Sequence, residues 1–384
     1  MPKTTDVAII GGGVIGCSIA YQLAKRGIRS TVFEKDSLGS SASGATGGII
    51  GPIWYVDHTI EPYFDLAMRS LDIFPWLAQD LKDSGVDPEY RPYGVTKVAL
   101  TNELHEVLKN NLIWQEELGI GVQWIDRDEL FERDPHMTPE AQGAVFSPQE
   151  ANIRGQAYVN SLAHAACKLG ATCIEGAEVT GLEFDGDRVI GVRTLTDVYH
   201  AKHTVLAAGA WTGLVNRWLP ETIPVRPIKG QRITIRMRGF SPMGPVQSII
   251  PQNDGTMFAG ASREEGAFDH RITTSAVDGL FDNATLLYPV LKDAEFVGAR
   301  AGIRPGSPDG MPILGPVPGY EGFSVASGHD HVGIILSPAT GVDMAEYIAT
   351  GDASRLDFFS IERFTDGRPQ FVPKTLFSNI SYDK

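Results

Sequence analysis

A short apolar run, Val7 to Ile10, ends directly in Gly11, Gly12 and Gly13 and gives way at once to residues with helical spacing. Such a run reads as a strand buried on both faces of a parallel sheet. From Val14 to Arg26 the apolar residues Ile15, Ile19, Leu23 and Ala24 recur at helical intervals, and Gly27 supplies the stop. Ser30 to Phe33 forms a second strand that ends at Glu34. Gly11, Gly13 and Gly16 thus place G-x-G-x-x-G inside a strand–helix–strand unit. The three glycines serve a tight turn, close backbone approach to a pyrophosphate, and close packing of helix on strand. The helix amino terminus then offers free N–H groups to phosphates. Glu34, about 20 residues on, is placed to accept hydrogen bonds from ribose hydroxyls. Its charge disfavours a 2′-phosphate at the same end of the strand. The pattern specifies a dinucleotide and leaves NAD and FAD both open.

The 384-residue chain has room for a second domain. Ser37 to Gly51, rich in Ser and Gly, reads as a loop or tight helix entry, and Ile60–Lys82, Asn102–Leu118 and Gln156–Leu169 as helices. Ala171–Ile174 is a returning strand, and Glu178–Phe184 with Val189–Thr194 form a hairpin around an Asp-Gly turn. His203–Ala208 is another buried strand running into Gly209. Short strands at Arg232–Met237, Val246–Pro251 and Thr256–Gly260 predict an antiparallel sheet distinct from the nucleotide unit. Helices are expected at Ile272–Leu287 and Val332–Ala349. A net charge of −14 disfavours nucleic acid or an anionic membrane as partner. Cys17, Cys167 and Cys173 make neither a disulfide framework nor a metal cluster. With no signal peptide or membrane-length apolar stretch, the cytoplasm is the default location.

The longer segments GGGVIGCSIAYQLAKRG, VFEK, ASGATGG, VLAAGAW, RPIKGQ, AGIRPGSPDGMPILGP and SGHDHVGIILSPATG resemble, in order, the FAD-dependent D-amino acid oxidase superfamily. Within it they are most similar to the group of glycine oxidase, sarcosine oxidase, and proline and D-amino acid dehydrogenases. The likeness thins around Ile53 to Met137 and past Arg363. It implies an α/β plus α+β protein, with a Rossmann-like FAD-binding domain of discontinuous segments (1–85, 140–220 and 295–364). An antiparallel-sheet substrate domain would take 86–139 and 221–294, and 365–384 a carboxyl-terminal tail.

By this resemblance Gly11, Gly13, Val14, Ile15, Gly16, Glu34 and Lys35 bind the ADP half of FAD, and Ser41, Ser43, Ala45, Thr46 and Gly47 lie near pyrophosphate and isoalloxazine. Val179 contacts adenine through its backbone, and Ala208, Gly209 and Trp211 form the second crossover. Gly328, Val332, Gly333, Ile334 and Ile335 form the carboxyl-terminal cofactor segment, where a helix terminus favours negative charge on the reduced ring. Arg304 pairs with the substrate carboxylate through its planar fork. Ser248 stands where glycine oxidase has a carboxylate-binding tyrosine, so that contact is missing or supplied elsewhere. His331 stands where an arginine or other polar residue is frequent, and both departures leave room for a larger or cyclic amino acid. Trp54, Tyr55 and Tyr63 supply either an aromatic wall or core.

The implied reaction is oxidation of the C–N bond of a small amino or imino acid to its imine, by hydride transfer to noncovalently held FAD. Position and desolvation carry much of it, and no metal is expected. An oxidase is favoured over a dehydrogenase that passes electrons to quinone or a protein partner. Oxidation of a 2-hydroxy acid on related FAD architecture is the rival chemistry, and a nonenzymatic flavoprotein the rival class. A homo-oligomer is compatible with the sequence.

Overall fold

In the computed structural model, which describes residues 2–266, 268–365 and 367, the opening apolar run lies in the strand Lys3–Ile10 within an eight-stranded sheet. Ser30–Phe33 and Val198–Leu206 flank it in parallel, and Thr172–Ile174 and Phe323–Ser327 extend the parallel array on either side. The run is continuously apolar because both faces of this sheet are covered. Val7 and Ile9 pack into the core beneath the helices Val14–Lys25, Glu61–Ser84, Gly155–Lys168 and Gly333–Thr350. Ala8 and Ile10 face the opposite core, built with the hairpin Val179–Asp185/Arg188–Thr194.

Two of those helices matter for the site, because both begin at the carboxyl ends of parallel strands. Val14–Lys25 and Gly333–Thr350 approach closely at Gly341, where a Cβ would lie 2.3 Å from Ser18 Oγ. Ser18 Oγ donates to the Ser337 carbonyl at 2.8 Å across the same contact. Pro338 would leave the Ile334 carbonyl without its helical partner, and Ser337 Oγ donates to that oxygen at 2.9 Å. The pair of helix starts is therefore held in fixed relation.

The second sheet is antiparallel, as the middle of the sequence predicts. Arg226–Arg236 is its long central strand, paired with Met257–Gly260 and Glu264–Glu265. Ile249–Pro251 continues the sheet beyond Met257–Gly260. Three further strands, Val95–Ala99, Gly143–Ser147 and Gln123–Asp126, form a small sheet joined to it by a bridge between Thr96 and Val246. The largest element absent from the sequence reading is Glu295–Gly306, which pairs antiparallel with the whole length of Arg226–Arg236. Segment 295–364, expected to belong entirely with the cofactor sheet, thus begins in the second sheet, and Gly143–Ser147 of segment 140–220 does likewise. Its glycines hide the strand: Gly298, Gly302 and Gly306 interrupt the alternation of side chains. The tail 365–384 lies outside the described residues except for Thr365 and Gly367. Among the described residues no helix is long and apolar enough to cross a membrane.

Gly341→Leu should force the two helices apart and destabilise the fold by about 1–3 kcal/mol, as overpacking does. A thermal unfolding midpoint equal to the wild type would contradict this packing.

Candidate active site

The glycine turn shows why each position lacks a side chain. Gly11 has φ +112°, and a Cβ there would meet the Ala207 carbonyl oxygen at 2.3 Å. A Cβ on Gly16 would lie 2.0 Å from the Gly11 oxygen, so the helix can seat on the turn only with glycine. Gly12, which the motif treats as variable, is equally constrained: its Cβ would meet Leu38 Cδ2 at 2.5 Å and Glu34 Cβ at 2.9 Å. Gly12 N–H donates to Glu34 Oε2 at 2.8 Å, and Asp36 N–H to Glu34 Oε1 at 2.9 Å. Two backbone donors thus fix the carboxylate while each oxygen keeps acceptor capacity. Val14 N–H, at the helix start, donates to Ser43 Oγ at 3.0 Å, which brings the Ser-Gly loop over the turn.

One cavity of about 1440 Å³ runs from this turn to the second sheet. That exceeds the roughly 300–1,000 Å³ of ordinary small-molecule sites and suits a dinucleotide with a small substrate beside it. Gly11, Gly13, Val14, Ile15, Glu34, Lys35, Ser41, Ser43, Ala45, Thr46, Gly47, Val179, Ala208, Gly209 and Trp211 line it, as do Gly333, Ile334, Ile335, Arg304 and His331. Gly333 to Ile335 are the first turn of an 18-residue helix, whose positive end therefore faces the cavity. Four expected site residues lie off the wall. Gly16 packs helix on turn, Val332 is in the core, and Gly328, at φ +76°, is hemmed by Ile313 and Ser307. Ser248 instead accepts from Gly260 N–H through its carbonyl at 3.2 Å.

Arg304 stands on the same strand face as Gly302, whose absent side chain lets the strand press on the cofactor-side loop. A Cβ on Gly302 would meet Ala45 Cβ at 2.7 Å, and Ile303 N–H donates to Ser41 Oγ at 3.3 Å. The guanidinium lies over Gly230 of the neighbouring strand, where a Cβ would be 2.4 Å from Nη2, and Nη1 donates to the Ser262 carbonyl at 3.0 Å. Burial lowers its pKa, partly opposed by the charges of Asp330 and Glu264. Among the described residues no carboxylate forms an ion pair with Arg304. Arg363 makes the contrast, since its buried fork meets Asp309 at 2.7 and 3.0 Å.

Beside Arg304 lies an acid that the sequence reading did not single out. Asp330 has φ +44° and donates its N–H to the Pro305 carbonyl at 2.9 Å. Its carboxylate takes both ends of the Arg263 fork, at 2.9 and 3.0 Å, and His331 Nδ1 lies 3.3 Å from Oδ1. Burial alone would raise Asp330, but His331 and Arg263 outweigh it and hold the carboxyl well below the usual carboxylate range. His329, on the cavity wall, is neutral because burial pushes it down to about 3. Tyr55 and Tyr63 line the cavity, whereas Trp54 packs in the core, so the aromatic stretch divides between the two roles. Behind Tyr55, Lys97 Nζ donates to its hydroxyl at 2.8 Å. Nearby Glu150 is fully buried and accepts from Ile53 N–H at 3.0 Å. Burial pushes the Glu150 carboxyl up to about 8 against the opposing Ile53 N–H and Lys97 charge. The described residues hold no His, Cys, Asp and Glu group that would bind a metal ion.

A glycine turn with an anchored acid, two helix starts facing one long cavity, and an antiparallel sheet closing its far end define a dinucleotide-dependent oxidoreductase. The family model described as "FAD dependent oxidoreductase" matches residues 6–347, and the chain belongs to that family. It is 33% identical over 359 residues to the glycine oxidase of Geobacillus kaustophilus, covering 91% of this chain and 94% of that protein. It is 33% identical over 343 residues to the glycine oxidase of Pseudomonas putida, covering 87% and 92%. The crystal structure of glycine oxidase from Bacillus cereus superposes with a TM-score of 0.86 at 30% identity, covering 92% of this chain and 97% of that one. This chain is an FAD-dependent oxidoreductase. The glycine cradle, the cavity length and the Gly333–Ile335 helix start all fit FAD.

Two outcomes follow. Gly11→Val should purify with far less flavin per protein than the wild type, read from the visible absorbance. Glu150 has a folded pKa above its unfolded value, so its stability contribution is full below about pH 4.5 and is lost as pH rises towards 8. Glu150→Gln should therefore gain thermal stability relative to the wild type from about pH 5 to about pH 9. A constant difference across that range would show that folding does not raise the Glu150 pKa.

Proposed function

We propose that the enzyme oxidises the C–N bond of a small amino or imino acid to its imine, with the substrate carboxylate held by Arg304. The observation that carries this reading is a buried guanidinium on the cavity wall that has no carboxylate partner among the described residues. An uncompensated buried charge is costly, and an anionic ligand removes that cost. The glycine oxidases to which the chain is similar support an amino acid as the anion and oxygen as the electron acceptor.

FAD supplies the two-electron acceptor. Gly11 to Ile15 would hold its pyrophosphate at the first helix start, Glu34 its ribose, and Val179 its adenine through the backbone. Ser41 to Gly47 would cover it, and the N–H groups of Gly333 to Ile335 would face the part of the ring that gains negative charge. Arg304 orients the substrate so that its C–H bond faces the ring, and Tyr55 and Tyr63 help exclude water. With its carboxyl ion-paired to Arg263, Asp330 fixes the turn that carries His331, so the wall opposite Tyr55 is rigid.

Anaerobic addition of glycine, sarcosine, proline and D-amino acids should bleach the flavin band with at least one of them, and admission of air should then yield peroxide. Reduction by lactate with none by any amine would overturn the reaction class. Arg304→Ala should keep FAD but lower kcat/KM roughly a hundredfold for carboxylated substrates. Gly230→Val should displace the guanidinium and move kcat/KM the same way. An unchanged value in Arg304→Ala would remove the residue from this role.

A further inference from the structure

The sequence leaves one contact unassigned. By the resemblance Ser248 stands where glycine oxidase has a carboxylate-binding tyrosine, and the structure puts it off the cavity wall. Arg304 has also committed Nη1 to the Ser262 carbonyl, so it offers less than its full fork to a carboxylate. Two carboxylate oxygens together present about four lone-pair sites, whereas one edge of a guanidinium fork presents only two N–H groups to them.

Tyr55 meets this need by proton inventory. An ammonium has three N–H donors and no acceptor, so in the 2.8 Å contact between Lys97 Nζ and the Tyr55 hydroxyl the phenol oxygen must accept. The phenol keeps its own proton, and among the described residues no acceptor is hydrogen-bonded to it. Tyr55 lines the cavity, whereas Lys97 is buried behind it, with only 3% exposure and its ammonium 4.6 Å from the ring centroid. With the ammonium on one side of the phenol oxygen the proton is left to the other, and donation by the ammonium makes the phenol a stronger donor. The two walls are tied together. The Tyr55 ring meets His331 edge-on at 6.1 Å, and the adjacent Asp330 is bonded through its N–H to Pro305, the residue after Arg304.

We propose that Tyr55 is a second hydrogen-bond donor to the substrate carboxylate, and that Lys97 is the positioning residue that turns the Tyr55 hydroxyl proton into the cavity. This rests on the reading of Arg304 as the carboxylate anchor. The substrate class is thereby narrowed to carboxylates bound from two walls, one guanidinium and one phenol.

The test titrates the FAD-loaded enzyme with acetate, a carboxylate that cannot reduce it, and follows the flavin absorbance. Tyr55→Phe, which removes only the hydroxyl, should retain FAD and weaken the acetate Kd about tenfold. Lys97→Met should weaken it as well, but should add nothing in a Tyr55→Phe background, because Lys97 acts through the phenol oxygen. A wild-type Kd in Tyr55→Phe, with binding lost in Arg304→Ala, would overturn this proposal and leave the anchor standing. Unchanged binding in Arg304→Ala would instead overturn the anchor. Full additivity of the Lys97 and Tyr55 changes would overturn the positioning role. Should Lys97→Met fail to fold, the Tyr55→Phe titration still decides the donor.

Discussion

The constraint on which the site depends is the close contact of Gly302 with the loop that begins at Ser41. A Cβ at Gly302 would lie 2.7 Å from Ala45 Cβ and 3.0 Å from Ala42 Cα. The long strand of the second sheet can therefore press directly on the loop that follows the dinucleotide cradle. Everything that makes the cavity one site depends on this approach. It carries Arg304, two residues along the same strand face, to the cavity wall. It also brings Ser41 Oγ to the Ile303 N–H. The loop is held from its other side by Val14, whose N–H donates to Ser43 Oγ. The glycine cradle and the strand that carries Arg304 are thus coupled through backbone and small side chains, which leave little freedom for relative motion.

Electrostatics complete what the packing begins. Two helix starts, at Val14 and Gly333, aim partial positive charge into the cavity, and Arg304 adds a full charge at the far end. The protein carries a net charge of −14, so this positive interior is local and set against the overall balance. The acids near Arg304 do not cancel it. Asp330 is bound by Arg263, which leaves the Arg304 guanidinium to an incoming anion.

How much of this was legible in the sequence follows from the range of the forces involved. The cradle was readable because its turn, helix and acid fall within one short strand–helix–strand unit. Even there, Gly12 was missed, since its constraint comes from Leu38 and Glu34 rather than from its neighbours. Four of the parallel strands declared themselves by short apolar runs, whereas Phe323–Ser327 was not read. The strand Glu295–Gly306 did not, because the glycines that permit its close approach also erase its periodicity. Resemblance pointed to Arg304, His331 and the helix at Gly333, and the structure places all three on the cavity wall. It placed Ser248, Gly328 and Val332 there too, and these lie behind it. The pairing of Asp330 with Arg263 and the contact of Lys97 with Tyr55 join residues 67 and 42 positions apart, for which local spacing gives no signal.

The central claim is that the cavity holds FAD at the glycine turn and a carboxylate at Arg304 in the same space. A crystal structure of the FAD-loaded enzyme with bound acetate tests it most directly. The account predicts acetate in contact with the Arg304 guanidinium at about 2.7–2.9 Å, on the Tyr55 side of the flavin ring. Acetate bound elsewhere, with Arg304 turned to a protein carboxylate once FAD is in place, would contradict it.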